Sequence, residues 1–99
     1  MDTIITPAEL KARLANGDKP RMIDVREDEE VAMGMIPGAE HIPMGQIPDK
    51  IDEIDRSGEV ILICRSGNRS GRVQEYLQSL GFTGTKNMVG GMLEWDGLD

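Results

Sequence analysis

The residues best able to do covalent chemistry lie in one short segment, Cys64–Ser70, which reads Cys-Arg-Ser-Gly-Asn-Arg-Ser. Cys64 is the only cysteine of the chain, and Arg65, Arg69 and Arg72 fall within the eight residues that follow it. The chain as a whole is acidic, with a formal net charge of −7, so this segment is a local positive feature. A thiol beside cations ionises readily, and the thiolate is its nucleophilic form. The pattern indicates a reactive cysteine.

The loop after Cys64 has the composition of an anion cradle. Gly67 and Asn68 are the residue types that enter left-handed backbone conformations most easily, so the chain can curl and turn successive N–H groups inward. A helix that begins here adds the positive end of its dipole. The alternative is an inert buried thiol, as many cysteines are. The cationic, glycine-containing loop favours the reactive interpretation.

A nucleophilic Cys64 needs no partner base in this setting. An unperturbed cysteine, with a pKa of about 8.5, is only about 3% thiolate at pH 7, and loop amides, a helix N-terminus and Arg65 or Arg69 are able to lower that pKa. The single histidine, His41, is expected in a distant loop and forms no recognisable Cys-His pair. One histidine is also weak support for a metal site, so no metal and no cofactor is expected.

The elements around Cys64 follow from hydrophobic spacing. Val60–Ile63 is an uninterrupted apolar run, which is typical of a parallel strand buried on both faces. Apolar residues from Val73 to Leu80 then recur at helical spacing until Gly81 ends the helix. Cys64 therefore lies between a strand and a helix, where parallel sheets bind their ligands.

The remaining chain alternates in the same way. A capping box at Thr6–Glu9 starts a helix that ends near Gly17, and strands are predicted at 21–25, 41–42 and 86–89. Ile47, Ile51 and Ile54 recur at helical spacing, and a short helix follows Gly90 and Gly91. This order predicts an α/β fold with a parallel sheet, as a single domain over residues 1–99.

Composition excludes several classes of function. An acidic chain without a basic face does not suit nucleic acid or an anionic membrane surface. No apolar run approaches the length of a membrane span, and the N-terminus lacks the pattern of a secretory signal, so a cytoplasmic location is expected. The oligomeric state is not encoded in any motif of the chain.

Four ordered motifs resemble those of the rhodanese family. Cys64–Ser70 resembles its active loop, and Asp24-Val25-Arg26 its Asp-Val-Arg segment. Residues 34–39 resemble its Gly-His-Ile-Pro-Gly-Ala segment, with Met35 in place of the histidine, and residues 90–95 resemble its closing Gly-Gly and Trp signature. The resemblance covers nearly the whole chain and implies about five short parallel strands flanked by helices on both faces.

The resemblance also implies a reaction. Cys64 would accept sulfane sulfur from an anionic donor such as thiosulfate, become a persulfide, and pass the sulfur to cyanide, a thiol or a protein acceptor. Thiolate attack on such sulfur needs no proton transfer. The loop would bind the donor, and Asp24 and Arg26 would brace the loop without joining the chemistry. The residues expected to bind substrate are Arg65, Ser66, Gly67, Asn68, Arg69 and Ser70, with helix capping as an alternative role for Ser70.

Two other functions compete with turnover of small molecules. A cysteine phosphatase shares this fold, but its pattern places one more residue between cysteine and arginine than the four that separate Cys64 and Arg69. A persulfide carrier that relays sulfur to a protein partner would show the same loop. The Met35 replacement affects loop packing or partner recognition more directly than sulfur transfer.

Overall fold

The computed structural model describes residues 3–98, in which strands and helices alternate. The strands are β1 (Ile4–Ile5), β2 (Arg21–Asp24), β3 (Glu40–His41), β4 (Val60–Ile63) and β5 (Thr85–Met88). The α-helices are α1 (Pro7–Ala15), α2 (Asp28–Val31), α3 (Asn68–Ser79) and α4 (Gly91–Trp95), and a 3₁₀ helix spans Met44–Glu53.

The five strands form one parallel sheet in the order β1-β5-β4-β2-β3. Strand β4 is central and pairs with β2 on one side and β5 on the other. All four β4 residues are buried, as their continuous apolar character predicts. The predicted parallel α/β sheet is confirmed, and its central strand ends at Ile63, directly before Cys64.

Helices cover both faces of this sheet, which confirms the predicted layers. Val60 and Leu62 of β4 belong to one buried cluster, and Ile61 and Ile63 belong to a second. The first cluster includes Val73 and Leu77 of α3 and Ile47 of the 3₁₀ helix, and the second includes Leu10 of α1 and Met92 of α4.

The element boundaries show what local pattern can specify. Helix α1 begins with the predicted capping box, in which the Glu9 amide donates to Thr6 Oγ1 at 3.1 Å and the Thr6 amide to Glu9 Oε1 at 2.9 Å. The segment around Ile47 is a 3₁₀ helix with Pro48 inside it, because in an α-helix the proline ring would clash with the carbonyl four residues earlier. Strands β3 and β5 each begin and end one residue earlier than predicted.

No helix among residues 3–98 combines the length and the apolar character needed to cross a membrane.

Candidate active site

Cys64 directly follows the last residue of β4, at the carboxyl edge of the sheet. The residue is buried, with 0% of its surface exposed. The Gly67 amide donates to its Sγ at 3.0 Å, and the Ser70 hydroxyl lies 3.3 Å from the same sulfur. The loop therefore curls so that one of its amides and one of its hydroxyls face the thiol.

These contacts determine how readily the thiol ionises. Burial raises the pKa of Cys64, because it disfavours the charged form. The Ser70 hydroxyl and the amides of Ser70, Ser66 and Gly67 stabilise the thiolate and outweigh burial, so the pKa lies below its ordinary value. The largest causes of this shift are burial and hydrogen bonds from the loop.

The loop reaches this shape through Gly67. Its φ of 95° lies in the left-handed region, which a residue with a Cβ adopts at a cost of about 1–2 kcal/mol. Asn68 is the first residue of α3 and is helical, so only one of the two candidates for a left-handed conformation adopts it. Ser70 lies inside the first turn of α3 with its side chain buried, and Gly67 occupies the N-cap position. The alternative role of Ser70 as helix cap is therefore wrong.

Asn87 of β5 contacts the loop from the neighbouring strand. Its Nδ2 donates to the Gly67 carbonyl at 3.0 Å, and its Oδ1 accepts from the Ser70 hydroxyl at 2.5 Å. The sequence indicated only that Asn87 lies in a strand. The polar side chain in a predicted strand was the signal that could have drawn attention to it.

Helix α4 holds the start of the loop through its first amides. Met92 donates to the Cys64 carbonyl at 2.9 Å, and Leu93 donates to the Arg65 carbonyl at 3.0 Å. Gly91 permits this approach, since a Cβ there would lie 2.3 Å from the Arg65 oxygen and 2.6 Å from the Cys64 oxygen. The Gly-Gly motif that precedes Trp95 thus fits closely beneath the loop, and Trp95 itself packs against the core.

Arg69 points toward α2 and forms a bidentate ion pair with Glu30. The two guanidinium nitrogens lie 2.6 and 2.7 Å from the carboxylate oxygens. Hydrogen bonds from Arg69 lower the pKa of Glu30 to about 2, and the carboxylate in turn raises the pKa of Arg69. Glu30 is the last of four consecutive acidic residues, 27–30, and nothing in the sequence marks it as the partner of Arg69, so this contact was missed.

Arg65 is exposed and lies beside an open cleft of about 180 Å³. Within residues 3–98 its side chain takes part in no ion pair. The exposed side chains of Met33 and Leu93 line the same cleft. Ser66 and Arg72 are also exposed. Of the two loop arginines, Arg65 is the one available to an anion from solvent.

Asp24 and Arg26 form a buried ion pair with Nη2 and Oδ2 2.8 Å apart. Asp24 raises the pKa of Arg26, and Arg26 also donates to the Gly34 carbonyl at 2.8 Å and the Glu30 carbonyl at 3.4 Å. The pair thus contacts the backbone of α2 and the following turn, and Glu30 of α2 contacts Arg69. Its connection to the active loop runs through Glu30.

The expectation that His41 lies in a loop is wrong, whereas the short strand predicted at 41–42 is present as β3. His41 ends strand β3, in register with Asp24, and its Nε2 donates to the Arg26 carbonyl at 2.7 Å. It therefore belongs to the same edge of the sheet, where it holds the backbone of Arg26. Its hydrogen-bond partner is that carbonyl and not the thiol.

Known proteins share both the sequence and this architecture. The Rhodanese-like domain family matches residues 6–98. YtwF of Bacillus subtilis, named as a proposed sulfurtransferase, is 50% identical over 93 residues, which cover 94% of this chain and 89% of YtwF. The human thiosulfate:glutathione sulfurtransferase is 33% identical over 101 aligned positions, covering 88% of this chain and 87% of the human protein.

A solved structure shows the same fold. The crystal structure of a rhodanese-like domain protein from Staphylococcus aureus superimposes with a TM-score of 0.87 at 41% identity, and the match covers 96% of this chain and 91% of that one. Because the family match spans nearly the whole chain and agrees with the five-stranded parallel sheet, this protein belongs to the Rhodanese-like domain family.

Proposed function

We propose that this protein is a sulfurtransferase that carries sulfane sulfur as a persulfide on Cys64. The observation that carries the proposal is the environment of Sγ, where loop amides and the Ser70 hydroxyl lower the thiol pKa without any base. Similarity to proteins named sulfurtransferases supports the same class of reaction.

The first half of the reaction transfers sulfur from the donor to Cys64. The thiolate attacks the outer sulfur of thiosulfate, a new S–S bond forms, and the S–S bond of thiosulfate breaks. Sulfite leaves with the electron pair of that bond, and Cys64 becomes a persulfide anion. No proton moves, so this step needs no general base.

The second half delivers the sulfur to an acceptor. A thiolate attacks the outer sulfur of the persulfide, the S–S bond to Cys64 breaks, and the Cys64 thiolate is regenerated. Cyanide would be converted to thiocyanate in the same way. The name of the human relative, a thiosulfate:glutathione sulfurtransferase, supports thiosulfate as donor and a small thiol as acceptor.

The loop residues take distinct roles in this proposal. Arg65 attracts the anionic donor, while the amides of Ser66, Gly67 and Ser70 stabilise negative charge on sulfur. Asn68 and Arg69 complete the loop, and Arg69 is held by Glu30. Because none of the surface of Cys64 is exposed, a donor reaches Sγ only after the residues around the thiol rearrange.

The pairing of Arg69 also disfavours phosphate chemistry. A phosphatase needs its loop arginine directed at the phosphate, whereas this guanidinium forms a bidentate pair with the Glu30 carboxylate at 2.6 and 2.7 Å. The short spacing between Cys64 and Arg69 also disfavours a phosphatase.

Mass spectrometry of the intact protein after exposure to thiosulfate tests the proposal. We expect the mass of one added sulfur on the wild-type protein, removed again by excess thiol with recovery of the starting mass. The Cys64→Ser variant is the matched control, since it keeps the loop but lacks the nucleophile, and it should stay unmodified.

Two other outcomes would change the conclusion. Wild-type protein that takes up no sulfur from any donor but hydrolyses an aryl phosphate contradicts the proposal. Protein that accepts sulfur from a persulfide on another protein but not from thiosulfate would identify a relay carrier in place of a thiosulfate enzyme.

A further inference from the structure

Asn87 hydrogen-bonds two loop residues, Gly67 and Ser70, that themselves contact the Cys64 sulfur. Its Nδ2 donates to the carbonyl of Gly67, whose amide donates to Sγ at 3.0 Å. Its Oδ1 accepts from Ser70, whose hydroxyl lies 3.3 Å from Sγ. A single side chain on β5 therefore connects two of the groups that stabilise the thiolate.

The orientation of the Asn87 amide fixes the orientation of the Ser70 hydroxyl. A carbonyl only accepts, so the atom facing the Gly67 oxygen must be Nδ2, and Oδ1 must face Ser70. Ser70 has one hydroxyl hydrogen and two neighbouring acceptors, at 2.5 Å for Asn87 Oδ1 and 3.3 Å for Cys64 Sγ. A neutral thiol is a weak acceptor, so the Ser70 hydroxyl donates its hydrogen bond to Asn87 Oδ1 while Cys64 is protonated.

Ionisation of Cys64 changes this balance. The thiolate is a strong acceptor, and the Ser70 hydrogen turns toward it by rotation about the Cβ–Oγ bond. Asn87 Oδ1 then loses its donor in a partly buried position, which opposes ionisation. When Cys64 takes up sulfur, the negative charge moves to the outer sulfur atom, and the hydrogen can return to Oδ1.

We propose that Asn87 is a positioning residue that controls the ionisation of Cys64 by competing with the thiolate for the Ser70 hydrogen. This inference rests on the proposed function only in taking Cys64 as the sulfur-accepting thiol. Asn87 forms no hydrogen bond with the thiol among the described residues, and it acts through Ser70.

The fold provides the space that this role requires. Asn87 pairs in register with Leu62, two residues before Cys64, so β5 brings its side chain beside the loop. Gly71 of α3 leaves room for the amide, since a Cβ there would lie 3.3 Å from Nδ2. A larger residue at position 71 would push against the Asn87 amide.

Titration of the thiolate by its ultraviolet absorbance tests the proposal, with Cys64→Ser as the blank. Two substitutions of similar shape are expected to act in opposite directions. Asn87→Leu removes the competing acceptor and should raise the ratio of thiolate to thiol at neutral pH severalfold. Asn87→Asp holds the Ser70 hydrogen more strongly and adds negative charge, so it should lower that ratio severalfold.

The Ser70→Ala background isolates the route of the effect. Without the hydroxyl, Asn87→Leu should no longer raise the thiolate ratio, and Asn87→Asp should lower it less. Thr85→Val is the matched control on the same strand, because the Thr85 hydroxyl is buried without a hydrogen-bond partner among the described residues. This control should leave the titration unchanged.

Opposite shifts that depend on Ser70 cannot arise from a general loss of structure. The proposal is overturned if the two Asn87 variants shift the thiolate ratio equally or do not shift it at all. It is also overturned if Asn87→Leu still raises that ratio in the Ser70→Ala background. If the leucine variant does not fold, the aspartate variant in the two backgrounds carries the test. The titration uses no sulfur donor, so its result is independent of whether the protein transfers sulfur.

Discussion

The loop that carries Cys64 is held on two sides by different kinds of interaction. On the side of β5 and α4, the contacts are neutral hydrogen bonds, from Asn87 to Gly67 and from the α4 amides to the Cys64 and Arg65 carbonyls. On the side of α2, the main contact is the ion pair between Arg69 and Glu30.

This difference separates two functions of the scaffold. The neutral side reaches the atoms nearest the sulfur, and its short backbone contacts leave little freedom. The ionic side lies at the periphery, with the Arg69 and Glu30 side chains 28% and 27% exposed, where ion pairs contribute about 0–1 kcal/mol. We therefore expect substitutions on the side of β5 and α4 to have large effects on the free energy of unfolding and on sulfur uptake. Substitutions on the side of α2 should act mainly through the charge presented to the anionic donor.

The largest effect is expected for Gly91→Ala on the neutral side. The new Cβ would overlap the Arg65 and Cys64 carbonyl oxygens, and the φ of 58° is itself unfavourable for alanine. We expect a loss of about 3 kcal/mol in the free energy of unfolding, measured with urea, together with loss of sulfur uptake by Cys64.

Gly17→Ala is the matched control for Gly91→Ala. Gly17 also has a positive φ, 87°, but a Cβ there meets no atom within 4 Å. Only the backbone strain remains, so the loss should be about 1 kcal/mol and sulfur uptake should persist. Similar losses for the two variants would show that the α4 contacts do not hold the loop.

The two loop arginines allow a smaller and more specific test on the ionic side. Arg65 faces solvent without an ion pair among residues 3–98, whereas Arg69 is neutralised by Glu30. We expect Arg65→Gln to raise the KM for thiosulfate about tenfold, which corresponds to roughly 1.4 kcal/mol, and Arg69→Gln to raise it less. Steady-state kinetics with a fixed thiol acceptor measures both.

Glu30→Gln sharpens the comparison of the arginines. It removes the charge that neutralises Arg69, so the KM for thiosulfate should fall while the free energy of unfolding changes by about 1 kcal/mol or less. A larger effect of Arg69→Gln than of Arg65→Gln on KM, or a rise in KM for Glu30→Gln, would mean that the ion pair aligns Arg69 for the donor.

The parts that local pattern specifies were predictable from the sequence. Strand β4 has the bounds that its continuous apolar run predicts, because a strand buried on both faces needs no polar alternation. The capping box of α1 is also local, since its donors and acceptors lie three residues apart. The Cys64–Ser70 loop was recognisable because its two arginines and its glycine lie within a few residues of the cysteine in the sequence.

The parts that depend on topology were not predictable. Strand β1 has only two residues and exists through its pairing with β5. Glu30 and Arg69 are 39 residues apart, and nothing in the acidic run distinguishes the carboxylate that turns toward the loop. Asn87 acquires its contacts because β5 lies beside β4, and that order follows from the packing of the whole sheet.

The smallest expected effect concerns acid stability on the ionic side. The pKa of Glu30 is about 2 in the folded protein, below the value of about 4.3 expected in the unfolded chain. Its stabilising contribution is therefore complete above about pH 4.3 and is lost as the pH falls toward 2. We expect wild-type protein to exceed Glu30→Gln in free energy of unfolding by up to about 1 kcal/mol at neutral pH, with the difference vanishing near pH 2.

Glu59 supplies the comparison away from the loop. Arg13 and then Lys86 lower its pKa, also to about 2, so Glu59→Gln should lose stability over the same range of pH. Only Glu30→Gln should also alter the KM for thiosulfate, because only that carboxylate neutralises a loop arginine. A change in KM for both variants would show that net charge, and not the contact with Arg69, controls capture of the donor.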